Sequence, residues 1–434
     1  MMWIKNTLFL LIVLVLAFPT VQKVLNIVTS KGLEGYFEPS IKPEFSMAAF
    51  KTGEYQSKMT PHLERTIGFH DDFTRIFNQC DFTLFSIPHA ARIIVGKNNY
   101  LQADSHIEAY LGKDFIGKYY IDDKVARVKY LQDYFWKEKG IHLLVVFAPG
   151  KGYYYPESIP DRYLEGDTGI TNDAYFSQKL LENGVNLINF NQYLLQLRDT
   201  SRHNLYPKTG IHWSCYGAWL CADSLIRYLE DRLGRTLPHM VLDSLVLEPE
   251  ARKEDDDMDR VLNLIWKIPV PEMTYPVFHH VYDSAAPKPA VLFVTDSFYW
   301  YWHYNDIIKN TFQREDMWYY DKEVYPDQNT KPTNTAQINV DSAISRQEVI
   351  ILMQTNGGYG NLGYGFVDRL YEFYYPGKTP VKKIEANFRA NPGWMEQMKV
   401  KAAEQNLPLD ALVRNDAIYL YNSELRKISK FKKP

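Results

Sequence analysis

The stretch "AVLFVTDSFYW", Ala290–Trp300, decides the fold. Five uninterrupted apolar residues read as a short strand buried on both faces. Thr295, Asp296 and Ser297 form a turn, and the aromatic segment that follows has the character of a helix start. Three similar runs lie elsewhere: "HLLVVFA" (His142–Ala148), "VNLINF" (Val185–Phe190) and "EVIILM" (Glu348–Met353). The first follows the helical "DDKVARVKYLQDYFWKEKG", and the second follows "NDAYFSQKLLENG". Short apolar strands alternating with amphipathic helices predict an α/β fold, a mostly parallel sheet covered by helices. In such sheets chemistry gathers beyond the carboxyl ends of the strands. The segments to search are therefore "PGKGYYYPE", "NQYLLQLRDT", "TDSFYWYW" and "QTNGGYGNLGYG".

The chain has 434 residues, 46% hydrophobic and 23% charged, enough for a large buried core. A net charge of -3 argues against nucleic acid as a partner, because phosphate binding needs clustered Lys and Arg. The 32 tyrosines fit core packing or a cleft that stacks on sugar rings, and both readings stay open. Of the three cysteines, Cys215 and Cys221 fall on different faces of one predicted helix, so no disulfide joins them. No metal-binding spacing is present. The acidic "KEDDDMD" (Lys253–Asp259) reads as a solvated loop.

The N-terminus "MMWIKNTLFLLIVLVLAFPTVQK" carries no charge between Lys5 and Lys23 and is apolar through Phe18. No small-x-small cleavage pattern follows, and Pro19 stands where cleavage would fall. Residues 1–23 read as an uncleaved signal anchor with Lys5 on the cytoplasmic side, a cleaved signal peptide being the alternative. Residues 24–85 read as a linker and lead-in helices, 86–385 as the α/β domain, and 386–434 as a helical tail.

Two residues stand out for chemistry. Ser297 sits on the turn straight after a buried strand, where a serine is exposed at a sheet edge. It equally suits a helix N-cap. His212 lies in "GIHWSCYGA" (Gly210–Ala218), just before a helix that Ser214 can cap. A histidine there is either a base or a hydrogen-bonded loop residue.

Taken together, "GIHWSCYGA" and the later "TDSFYW" resemble the SGNH/GDSL-type domain of the alginate O-acetyltransferase family. In that family an Asp-x-His-Trp motif precedes a Gly-Asp-Ser-Phe-like motif. "APGKGYYYPESIP", "LERTIGFHDDFTRIF" and "GKNNYLQAD" resemble further segments of it. The resemblance implies an SGNH-hydrolase-like fold and a periplasmic domain held by a single-pass inner-membrane anchor. It implies O-acetyl transfer to a polysaccharide acceptor, with a membrane-bound O-acyltransferase as acetyl donor and no cofactor. Ser297 would be the nucleophile and His212 the general base, through an acetyl-serine enzyme.

Two positions depart from the family pattern. Gly210 stands where the triad aspartate belongs, and Thr295 replaces the glycine of the serine motif. A backbone carbonyl could orient His212 and leave a Ser-His dyad, or Asp199 or Asp296 could supply the carboxylate. Lys151, Asn356 and Trp213 are candidate oxyanion or substrate contacts. An acetylesterase using the same pair, and a non-catalytic polysaccharide-binding subunit, are the alternative functions.

Overall fold

A computed structural model describes residues 2–35, 40–166, 168–282, 286–325 and 332–431. The chain forms two compact units, residues 1–95 with 256–269, and residues 96–255 with 270–434.

The smaller unit is helical. Helix α1 (Met2–Leu25) contains the apolar run. Its segment Trp3–Leu25 is long and apolar enough to cross a membrane. Helices α2 (Met47–Thr52), α3 (Glu54–Thr66) and α4 (His70–Phe85) follow. Ser46 caps α2 by accepting the N–H of Ala49, so part of the stretch read as linker is helical. The acidic run is not a solvated loop. Asp256 and Asp259, here, and Asp255, in the larger unit, are all buried. Asp256 accepts from Arg260 and Lys267, which compensates its charge.

The larger unit is built on a seven-stranded sheet. Its strands are β1 (His142–Ala148), β2 (Leu187–Asn189), β3 (Val291–Thr295), β4 (Glu315–Tyr319), β5 (Glu323–Tyr325), β6 (Thr333–Asn334) and β7 (Val349–Thr355). Their order is β6-β5-β4-β3-β7-β1-β2. The five strands from β4 to β2 run parallel, and β5 and β6 add an antiparallel edge. The four strands expected from the sequence are the centre and one edge of this sheet.

Period-two alternation explains their unbroken apolar character. Leu144, Val146, Val291, Phe293, Ile351 and Met353 feed one core. Leu143, Val145, Leu292, Val294, Ile350 and Leu352 feed the other. Both faces are dry, so every position must be apolar. Helix α5 (Lys118–Lys139) covers the second face with Ile121, Val125, Val128, Leu131 and Phe135. Helix α6 (Cys215–Leu233) covers the first with Ala218, Ala222, Leu225, Ile226 and Leu229.

Strands β4–β6 escaped the sequence reading because "EDMWY" mixes charge with aromatics. Asp316 is nevertheless buried, held by Gln347 and Arg346. An antiparallel ribbon, His239–Glu248 with Met273–Val281, was also not foreseen. In the C-terminal region, helix α7 (Phe366–Tyr374) and the long helix α8 (Leu409–Phe431) are tied to α5 by one buried cluster. Lys124 donates to Asp368 and Asn422, and Asn422 donates to Asp368. The helix expected over Met395–Gln405 spans Pro392–Glu404, capped by Asn391.

Candidate active site

The carboxyl ends of β3, β7 and β1 lie side by side, because these strands are parallel neighbours in register. Ser297 follows β3, Asn356 follows β7, and Gly150 and Lys151 follow β1. Ser297 opens a short helical turn, Ser297–Tyr299, that runs into the helix Trp300–Tyr304. His212 sits on the loop before α6, whose first turn is capped by Ser214 accepting the N–H of Gly217 at 2.9 Å.

The two side chains meet. Ser297 Oγ lies 2.8 Å from Nε2 of His212, the distance at which a hydroxyl donates to an imidazole. Both residues are partly exposed, so a substrate can reach them. The His212 ring also packs edge-on against Phe298, with centroids 4.8 Å apart.

Asp296 is almost fully buried. It accepts from the N–H of Phe298 at 3.1 Å, the N–H of Thr355 at 2.8 Å and the hydroxyl of Tyr364 at 2.8 Å. Burial pushes its carboxyl up, while these bonds and the charge of His212 pull it down. Its first structural task is to lock the serine turn to the end of β7. Asp199 is an exposed C-cap of the helix Phe190–Arg198.

Gly210 has a steric reason. A β-carbon there would fall 2.8 Å from the backbone oxygen of Asp255 and 2.8 Å from Cγ of Pro207. Thr209 Oγ1 also donates to the Asp255 oxygen, at 3.3 Å. The chain at Asp255 thus occupies the space that a side chain at 210 would need.

Lys151 corrects the expectation of an oxyanion or sugar contact. It is fully buried, and its ammonium donates to the carbonyls of Lys208 and Gly210 at 2.7 and 2.8 Å. It pins the loop that carries His212. Trp213 is likewise core, buried against Trp302, Phe298 and Phe190, and its indole N–H has no hydrogen-bond partner among the described residues. It forms the apolar floor beneath the histidine.

Asn356 is different. It is 1% exposed, and both atoms of its amide lack a hydrogen-bond partner among the described residues. It presses on Gly150, where a β-carbon would fall 2.0 Å from the amide nitrogen. It follows β7 at the sheet edge where Ser297 follows β3, and a buried amide without a partner is an exception among buried polar groups.

Two tyrosines were not foreseen. Tyr364 bonds Asp296, and its ring meets that of Tyr320 at 4.9 Å. The Tyr320 hydroxyl neighbours Ser297, and burial followed by the charge of Asp296 drives its pKa up. The only sequence signal was the aromatic density of "MWYYD" and "GGYGNLGYG". Tyr364 also lines a cleft of about 1150 Å³ that extends past Asn361 and Arg369 to Asn415 and Tyr419 of α8. Among the described residues, no group of His, Cys, Asp and Glu is arranged to hold a metal.

Residues 116–323, which include both His212 and Ser297, match the family model for the SGNH hydrolase-like domain of acetyltransferase AlgX. The fold of this stretch is SGNH-like, an α/β domain on a mostly parallel sheet. Asn356 and Tyr364 lie beyond the matched segment. Among solved structures, the SGNH-like domain is similar to the O-acetyltransferase domain of Pseudomonas putida AlgJ, at 13% identity and a TM-score of 0.42. That likeness covers 65% of this chain and 99% of the other. Pseudomonas aeruginosa AlgX follows at 14% identity and a TM-score of 0.41, covering 64% of this chain and 67% of the other. Bacillus cereus PatB1 follows at 12% identity and 0.36, covering 56% and 92%. No curated protein sequence matches the chain.

Proposed function

We propose that the chain is an O-acetyltransferase that carries an acetyl group on Ser297 and delivers it to hydroxyls of an exported polysaccharide. The observation that carries this reading is the 2.8 Å approach of Ser297 Oγ to His212 Nε2 at the carboxyl edge of the sheet. Ser297 Oγ attacks the carbonyl carbon of an acetyl ester while its proton passes to His212 Nε2. The carbonyl π pair moves to oxygen, where the Asn356 amide donates to it. The tetrahedral centre collapses, the donor alcohol leaves with the proton from His212, and acetyl-Ser297 remains. A sugar hydroxyl then gives its proton to His212 and bonds the acetyl carbon, and Ser297 Oγ departs and recovers the proton. Asp296, buried one residue before the nucleophile, stabilises the imidazolium through space.

The acceptor lies in the cleft that begins at Tyr364. Its lining is balanced in charge and rich in amides, with Phe373 and Tyr419 exposed to stack on sugar rings. The acetyl donor is a membrane-bound O-acyltransferase, and the chain works from the inner membrane into the periplasm.

The test incubates the full chain in detergent with p-nitrophenyl acetate, with and without an oligosaccharide acceptor, beside Ser297→Ala. The expected result is an acetyl adduct on the Ser297 peptide and acetylated sugar, both lost in Ser297→Ala. Acetate release that ignores the acceptor identifies an esterase. Wild type indistinguishable from Ser297→Ala in every channel refutes catalysis and leaves a binding subunit.

A further inference from the structure

Helix α4 is built inside out. Asn78 and Gln79 are buried, while Phe73, Ile76, Phe77, Leu84 and Phe85 stand between 48% and 70% exposed. The polar residues have partners within the same unit. Asn78 donates to the carbonyl of Leu262 at 2.8 Å, and Gln79 accepts from the N–H groups of Ile265 and Trp266. Phe73, Ile76, Phe77, Cys80 and Leu84 recur at helical spacing, so they form one stripe. Ile265 and Trp266, held beside the helix by Gln79, extend the apolar surface, and Trp266 is 69% exposed. An outward apolar stripe of this size marks an interaction surface.

The position of α4 says what covers it. Gly68, two residues before the helix, lies against the backbone of α1, and a β-carbon there would fall 2.2 Å from the oxygen of Pro19. Phe69 stacks on Phe18 with centroids 5.0 Å apart. Phe18 is seven residues short of the end of α1 at Leu25, about 10 Å along a helix rising 1.5 Å per residue. The start of α4 is therefore tied at the depth of roughly 5–10 Å at which amphipathic helices lie in the headgroup region. Trp266 suits that layer, and Lys31, largely exposed, can reach phosphates.

We infer that α4 is a membrane-surface helix whose Phe73–Leu84 stripe is buried among phospholipid acyl chains beside the anchor. This rests on the reading of α1 as a retained membrane span. It adds a second contact that fixes how the smaller unit meets the bilayer, which one tilting helix would not.

Cys80 provides the probe, being exposed on the stripe while Cys215 and Cys221 are buried. The full chain, labelled with NBD at Cys80, is reconstituted into vesicles of phosphatidylethanolamine and phosphatidylglycerol, and flotation first checks the anchor. The expected result is blue-shifted NBD emission, most of it lost when the acyl chains are brominated. The double variant Phe77→Asp/Leu84→Asp, on the exposed face, should still float while losing the blue shift and the quenching. Floating protein with water-like, unquenched emission overturns the inference and leaves the anchor intact. Blue-shifted emission that brominated lipid does not quench overturns it in favour of a protein partner. Protein that fails to float removes the anchor reading, and this inference with it.

Discussion

Replacing Gly210 by aspartate would restore the family's Asp-x-His-Trp motif on paper, yet it should damage the protein. The ideal β-carbon falls 2.8 Å from the Asp255 oxygen, 2.8 Å from Pro207 Cγ and 3.1 Å from the Asp255 carbonyl carbon. Two of these three atoms are backbone, so a rotamer change cannot relieve the clash. Gly210→Ala isolates that overlap and should destabilise by about 1–3 kcal/mol, as overpacking does. Gly210→Asp adds a carboxylate at a buried position, which raises the total to about 3–5 kcal/mol. The strain also falls on the loop that Lys151 pins and His212 rides, so Ser297-dependent hydrolysis should drop in both variants. The assay is thermal unfolding of the full chain in detergent, alongside hydrolysis of p-nitrophenyl acetate. Alanine should lower the midpoint by a few degrees and aspartate by more. A Gly210→Asp protein as stable as wild type and more active would refute the reasoning. It would mean that a carboxylate fits at 210 and that the glycine is a repairable loss.

Asn356→Ala should reduce turnover by about 10²–10³-fold, the usual loss for an oxyanion donor. Stability should be unchanged or slightly raised, because the amide has no partner to lose among the described residues, and activity and thermal unfolding measured on one preparation check both. Lys151→Met removes the ammonium that the carbonyls of Lys208 and Gly210 share, although the N–H of Leu101 still donates to Lys208. It should destabilise by about 2–4 kcal/mol and lower kcat more than it raises KM, read from denaturant unfolding and steady-state kinetics. Burial raises the Asp259 carboxyl to about 6 in the folded chain. The folded state therefore holds this proton more tightly than the unfolded chain. That contribution is fully present below the unfolded value of about 3.9 and lost as pH rises through 6. Asp259→Asn should flatten stability between those limits, measured as unfolding midpoints against pH.

The apolar runs at 142–148, 290–294 and 348–353 were legible because a strand buried on both faces admits almost no polar residue. Ser297 and His212 were legible as candidates because each follows a local rule, a serine after a strand and a histidine before a capped helix, and the resemblance to the alginate O-acetyltransferase family paired them. Lys151 and Asp255 were not. A lysine in a glycine loop and an acidic run both look solvated until another part of the chain supplies carbonyls or covers them. Tyr320 and Tyr364 were missed for a related reason, since nothing local distinguishes them from other tyrosines in a chain that has 32.

The sequence by itself determined the alternation of strand and helix, the apolar N-terminal helix and the two residues that meet at 2.8 Å. The first two depend on periodicity and on residues close in the chain, and the pair on the resemblance of two short motifs to a family pattern. Only the tertiary structure decided why position 210 is glycine, which amide lacks a partner and which face of α4 looks outward. Each of these depends on atoms brought together from distant segments, as when the backbone of residue 255 fills the space beside residue 210. Steric exclusion and hydrogen-bond satisfaction at such contacts have no period to read in the chain.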